Sequence, residues 1–100
     1  MGENEVAKGY IIANVEVTNP DQYAQYRPLS SVAVEAHGGT FIVRGGQSET
    51  LEGAFNSRTV VIEFPSFQAA QTFYHSAEYE AARHARAGAA QMNLMVVEGV

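Results

Sequence analysis

Cysteine and tryptophan are both absent from the chain, and only three of its 100 residues are proline. Without cysteine there is no disulfide scaffold, no thiolate nucleophile, no thiolate metal site and no iron–sulfur cluster. Positive charge is scarce: six Lys and Arg stand against eleven Asp and Glu, a net charge of −5. Nucleic acids and anionic membranes are bound by clustered basic residues, so neither is expected as a partner. Long hydrophobic runs are missing too. Runs such as Tyr10 to Ala13 are far short of the roughly 20 residues a membrane-spanning helix needs. The opening MGENEVAK is polar and acidic, unlike a secretory signal, and the cytoplasm is the expected location. What is present is ordinary for a folded domain: 46% apolar and 17% charged residues. Residues 1–7 are expected to form a flexible tail and residues 8–100 a single domain.

Gly9 to Val17 alternates, with Ile11, Ala13, Val15 and Val17 on one side, and reads as a strand. A helix should start near Pro20, with Asn19 as N-cap and Gln22 reaching back as a capping-box partner. Tyr23, Tyr26, Ser30, Ala33 and His37 recur at three or four and form one face. Pro28 is expected to kink or split this helix after Tyr26, and Gly38-Gly39 to end it. Thr40 to Gly45 reads as a second strand, interrupted by a bulge or turn at Gly45-Gly46. Arg58 to Phe64 is a third strand, stopped by Pro65. Ser66 caps a helix, Ser76 opens another over AEYEAARHARAGAA, and Met92 to Glu98 is the last strand. The order β-α-β-β-α-β fits a ferredoxin-like split βαβ fold: α+β, with a four-stranded antiparallel sheet and the helices on one face.

The helix-covered face should hold Ile11, Ala13, Val15, Phe41, Val43, Val60, Ile62 and Phe64. The opposite face should carry Tyr10, Ile12, Asn14, Ile42, Arg44, Val61 and Glu63, joined by either Met95 and Val97 or Leu94 and Val96. A solvated sheet face is mostly polar. This one is rich in large apolar residues, and such patches mark interfaces. A homodimer packed through this face is therefore expected.

Several strings resemble the family called domain of unknown function 1330. They are HGGTFIVRGG (His37 to Gly46), LEG (Leu51 to Gly53), RTVVIEFPSFQAA (Arg58 to Ala70), YHSAEYEAAR (Tyr74 to Arg83) and VVEG (Val96 to Gly99). The opening KGYIIANVEVTNPDQYAQY (Lys8 to Tyr26) fits as well. One departure is His75, where an aromatic residue is expected. The resemblance implies a dimeric α/β barrel, in which a ferredoxin-like protomer pairs its sheet with its twin's. It implies no settled activity. The wider superfamily includes cofactor-independent oxygenases, small isomerases, heme proteins and ligand-binding regulators, so fold alone does not fix function.

Three residues are candidates for catalysis. His37, placed on the helix face toward the sheet, has the basicity to take a proton from a substrate; the alternative is a histidine packed at a helix C-terminus. Arg44 and Glu63 are expected on one sheet face. They either grip a carboxylate or polarise a carbonyl, or pair with each other or the twin in a half-buried interface. Arg58 lies in sequence near the acidic loop of Glu49 and Glu52. An ion pair holding that loop is expected, with an anion clamp as the other reading. Tyr23, Tyr26, Phe41, Phe64 and Tyr79 are candidates to border a small-molecule cleft between helices and sheet, the alternative being plain core. The glycine pairs match no phosphate-loop spacing. The three histidines, His37, His75 and His84, have no ligand spacing, so no metal and no cofactor is expected.

Two functions remain open. One is a cofactor-independent enzyme, of oxygenase or isomerase type, acting on a small organic molecule. The other is a non-catalytic small-molecule-binding or accessory dimer. An enzyme should show a ligand-sized pocket and a strongly shifted titratable group.

Overall fold

A computed structural model describes residues 6–100. Residues 1–5 of the expected tail lie outside the described residues. Strand β1 (Gly9–Val17) sits at the centre of the sheet, between β3 (Arg58–Phe64) and β4 (Ala90–Glu98). Strand β2 (Thr40–Arg44) is the outer neighbour of β3, which gives the order β2-β3-β1-β4. Every pairing is antiparallel. Helices α1 (Pro20–Ala36), α2 (Phe67–Tyr74) and α3 (Ala77–Arg86) complete the α+β protomer.

The helix boundaries follow local chemistry. The Asn19 side chain accepts from the Gln22 amide at 3.1 Å, and Ser66 and Ser76 do the same for Ala69 and Tyr79. The expected capping-box return by Gln22 is not made; its side chain donates instead to the carbonyls of Ala85 and Ala87, tying α1 to the end of α3. Gly38, at φ +75°, closes α1 with the paired bonds Gly39 N to Val34 O and Gly38 N to Glu35 O. Pro28 does not split α1, which is continuous through it. It lies on the exposed side, as does Ala24, so the carbonyl that loses its partner can turn to water. Helix α3 ends at Arg86, short of the expected run, because Ala90 already joins β4 opposite Val17.

The core is the layer between sheet and helices. Ile11, Ala13, Val15, Val60, Ile62 and Phe64 are buried from the sheet side, and Ala33, Val34, Ala70, Phe73, Tyr79 and Ala82 from the helix side. On β4, Met95 stands opposite Ile12 and Val97 opposite Tyr10, so these two belong to the outer face. Leu94 and Val96 pack against the core.

One expectation about the faces is corrected. Phe41 pairs with Ile62 but Val43 pairs with Val61, and Ile42 is the extra residue of a bulge between them. The bulge inverts the alternation beyond it. Val43, expected in the core, is 41% exposed on the outer face. Arg44, expected beside Glu63 on the outer face, pairs with Val60 and turns to the helix side with Phe41.

Candidate functional site

Helix α1 packs chiefly on α3, while α2 carries most of the helix-to-sheet contact. The gap beneath α1 is bridged by long side chains with polar tips. It forms a cleft floored by Ala13, Val15, Val60 and Ile62 and roofed by Tyr23, Tyr26 and Ser30. Tyr79 closes its inner end, and Arg27, Arg44 and Arg58 also line it. Its open crevice spans about 390 Å³, but a water-sized body can enter only about 20 Å³ of it. That is room for about one water, so any larger occupant must displace side chains.

The inner end is a tyrosine cluster. The Tyr26 and Tyr79 hydroxyls share a buried hydrogen bond of 2.7 Å, and the Tyr23 ring lies 5.1 Å from that of Tyr26. Burial holds the Tyr79 hydroxyl far above its ordinary pKa, with Tyr26 adding to the effect. Burial also raises Tyr23, opposed by the positive charge of Arg58. Both phenols are therefore neutral hydrogen-bonding groups over the physiological range.

The mouth is cationic. Arg44 lies over the Phe41 ring at 3.9 Å and donates to Ser31 Oγ at 2.9 Å and to the Arg27 carbonyl at 3.4 Å. It thus spans the opening from β2 to α1. Arg58 packs beside Gly45, whose φ of +71° and missing Cβ leave the space its guanidinium occupies. The expected ion pair of Arg58 with Glu49 or Glu52 is not formed. Arg58 starts β3 opposite Val15, on the helix side, and its side chain lines the cleft with its guanidinium beside Gly45. Among the described residues the one contact within 4 Å between a basic side chain and a carboxylate is His37 Nε2 to Glu78 Oε1, at 3.1 Å, an ion pair only when the imidazole is protonated.

The structure gathers Tyr23, Tyr26, Phe41, Tyr79 and Arg44 at the cleft, as one constellation with Arg27, Arg58 and Ser30. It does not bring the other three there. His37 is the C-cap of α1, bonded to Glu78 at the surface and edge-on to Phe73. Glu63 accepts from the Tyr10 hydroxyl at 3.1 Å on the outer face. Phe64 is fully buried in the core, 4.9 Å from Phe73. Arg27 carried no signal in the sequence beyond its place one residue after Tyr26. Among the described residues no cluster of three potential metal ligands occurs.

A four-stranded antiparallel sheet with helices on one face and a cleft beneath the first of them defines a ferredoxin-like protomer. Solved structures bear this out. One of a protein of unknown function from Rhodopseudomonas palustris matches with TM-score 0.73 and 19% identity, covering 94% of this chain and 83% of that one. A dimeric ferredoxin-like protein of unknown function from Thermobifida fusca matches with TM-score 0.64 and 16% identity, covering 94% and 92%. A cofactor-independent oxygenase from Streptomyces nogalater matches with TM-score 0.62 and 8% identity, covering 92% of each chain. The chain belongs to the family described as Domain of unknown function (DUF1330), which it matches over residues 8–100. No match is found among curated proteins. No helix among the described residues is long and apolar enough to cross a membrane.

Proposed function

We propose that the cleft beneath α1 binds a small organic molecule and that the protein acts on it as a cofactor-independent enzyme, stabilising negative charge on a substrate oxygen. The observation that carries this is the buried Tyr26–Tyr79 hydroxyl pair at the inner end of a cleft whose floor is apolar. Preformed donors in a dry site favour developing oxyanions far more than water does. Arg44 and Arg58 supply further donors at the mouth. The oxygenase from Streptomyces nogalater has this fold and uses no cofactor, which is consistent with such chemistry.

A second reading, a non-catalytic binding dimer, is favoured by one observation: the cleft lining contains no histidine and no carboxylate to act as general base.

The working unit in either reading is a homodimer joined through the outer sheet face. Ile42, Val43, Met95 and Val97 are 52%, 41%, 54% and 37% exposed there, next to half-buried Ile12 and Val61. A patch of this kind suits a second copy of itself. The relative from Thermobifida fusca is dimeric.

The test is amide shift mapping of the full chain against a panel of small phenols, aromatic ketones and carboxylates, with each compound followed for conversion in air without added cofactor. Shifts at Tyr23, Ser30, Val60 and Tyr79 with conversion support the enzyme. The same shifts without conversion of any member favour the binding dimer. A folded protein whose cleft amides never move overturns both.

A further inference from the structure

We propose that the occupant of the cleft arrives as an anion, a small carboxylate on a flat, largely apolar body, with its carboxylate held by Arg58 and Arg44. This rests on the reading of the cleft as a ligand site and goes beyond it by fixing the charge and shape of the ligand.

Charge is unevenly distributed over the molecule. The protein is acidic overall, at −5, yet three of its six basic residues line one narrow cleft. No Asp or Glu lines it with them. Among the described residues no arginine has a carboxylate within 4 Å, since the one such contact is that of His37 and Glu78. Guanidinium groups held together without a counter-charge repel one another. Burial, followed by Arg27 and Arg58, depresses the affinity of Arg44 for its proton. A guanidinium stays charged even so, and the repulsion is relieved by an anion seated among the three.

Arg58 also carries an unmet hydrogen bond. Arg58 Nε is buried and has no partner. A buried N–H on a charged group without an acceptor is costly. The planar fork of Nε and a terminal nitrogen matches the two oxygens of a carboxylate. Gly45 holds the chain open for this side chain, because a Cβ there would collide with its guanidinium.

The lining of the cleft bears on the shape of the ligand. Behind the arginines the floor is Ala13, Val60 and Ile62 and the inner wall is tyrosine. A flat, apolar body that displaces side chains to enter would lie against these surfaces, with the Tyr26 and Tyr79 hydroxyls at its far end. Arg44 spans the mouth through solvent-exposed hydrogen bonds to α1, an arrangement that a carboxylate can replace while the side chain stays on Phe41.

The experiment is a titration of the full chain with benzoate and, in parallel, benzamide, which has the same shape and no charge. It is read by amide shifts at the cleft, for wild type, Arg58→Gln, Arg44→Gln and Arg83→Gln. Arg83 lies over Tyr74 outside the cleft lining and serves as the control. The expected result is benzoate at least tenfold tighter than benzamide. That preference should be lost in Arg58→Gln, reduced in Arg44→Gln and kept in Arg83→Gln. It should also shrink as sodium chloride is raised, which needs no variant to fold. Equal binding of benzoate and benzamide at the cleft overturns the anion proposal and leaves the cleft reading standing. Absence of cleft shifts with both compounds and with the wider panel overturns both. Benzoate binding that moves only amides elsewhere also overturns the proposal.

Discussion

The guanidinium of Arg44 rests 3.9 Å above the ring of Phe41, although the two residues are three apart on a strand. In a regular strand such residues face opposite ways. The bulge at Ile42 puts both on the helix side and brings a cation to the mouth of the cleft. Without the bulge Arg44 would lie on the outer sheet face and the cleft would lose its mouth.

The buried hydroxyl pair sets a stability prediction. Tyr26→Phe and Tyr79→Phe each leave one hydroxyl without its partner and should cost about 1 kcal/mol. The double variant removes both polar groups and should cost little more than either single one. Urea unfolding of the four proteins measures this. Strictly additive losses would show that the two hydroxyls are not coupled.

Alkaline pH should unfold the protein through the same residues. Tyr79 and Tyr23 have their pKa values raised in the folded state by burial. Below about 10, the unfolded value, neither state ionises and their contribution is fully present. Above it the unfolded chain releases protons that the folded one retains, so stability falls as pH rises. Phenolate absorbance should therefore show fewer than the chain's five tyrosines titrating before the unfolding step. Five tyrosines titrating together near 10 in the folded protein would contradict the packing.

Gly45 is a sharp point of failure. A side chain at φ +71° is strained by about 1–2 kcal/mol, and its Cβ would meet the Arg58 guanidinium. Gly45→Ala should lower stability by about that amount and also weaken benzoate binding by displacing Arg58. Gly46→Ala has no atom within 4 Å of its added Cβ and no positive φ, and should do neither. Thermal melts and the benzoate titration on both variants decide it.

The outer face makes a prediction about assembly. Met95 lies opposite Ile12 and is 54% exposed in the protomer. Met95→Glu puts a charge into the proposed interface without touching the core, so sedimentation velocity should show folded protomers of 10.8 kDa for the variant and a dimer for the wild type. Wild type sedimenting as protomers at micromolar concentration would contradict the interface.

The alternation of Gly9 to Val17 and of Arg58 to Phe64, and the Asn19, Ser66 and Ser76 caps, made the fold legible in the sequence. These signals are local, and tertiary context did not override them. The cleft tyrosines were legible for the same reason, since Tyr23 and Tyr26 recur on one face of α1. The direction of Arg44 was not, because a bulge is a property of the pairing and not of either strand alone. Gly45-Gly46 marked the end of β2, where Gly45 turns at φ +71°, but nothing in the sequence marked the separate bulge at Ile42. Arg58 was misdirected by its sequence neighbours Glu49 and Glu52, whereas the facing residue Val15 decides its side. His37 shares the helical period of Tyr23 and Tyr26, yet at the C-cap the helix has ended and the ring turns to Glu78.

The proposed site depends above all on a ligand carboxylate meeting Arg58. The side-chain Nε–H resonance of Arg58 reads this directly, because that group has no hydrogen-bond acceptor within the described residues. Saturating benzoate should move the Arg58 Nε–H signal downfield and slow its exchange with water, while the equally unpartnered Arg83 Nε–H stays in place. An Arg58 signal unchanged at saturation, with benzoate bound elsewhere, would contradict the account.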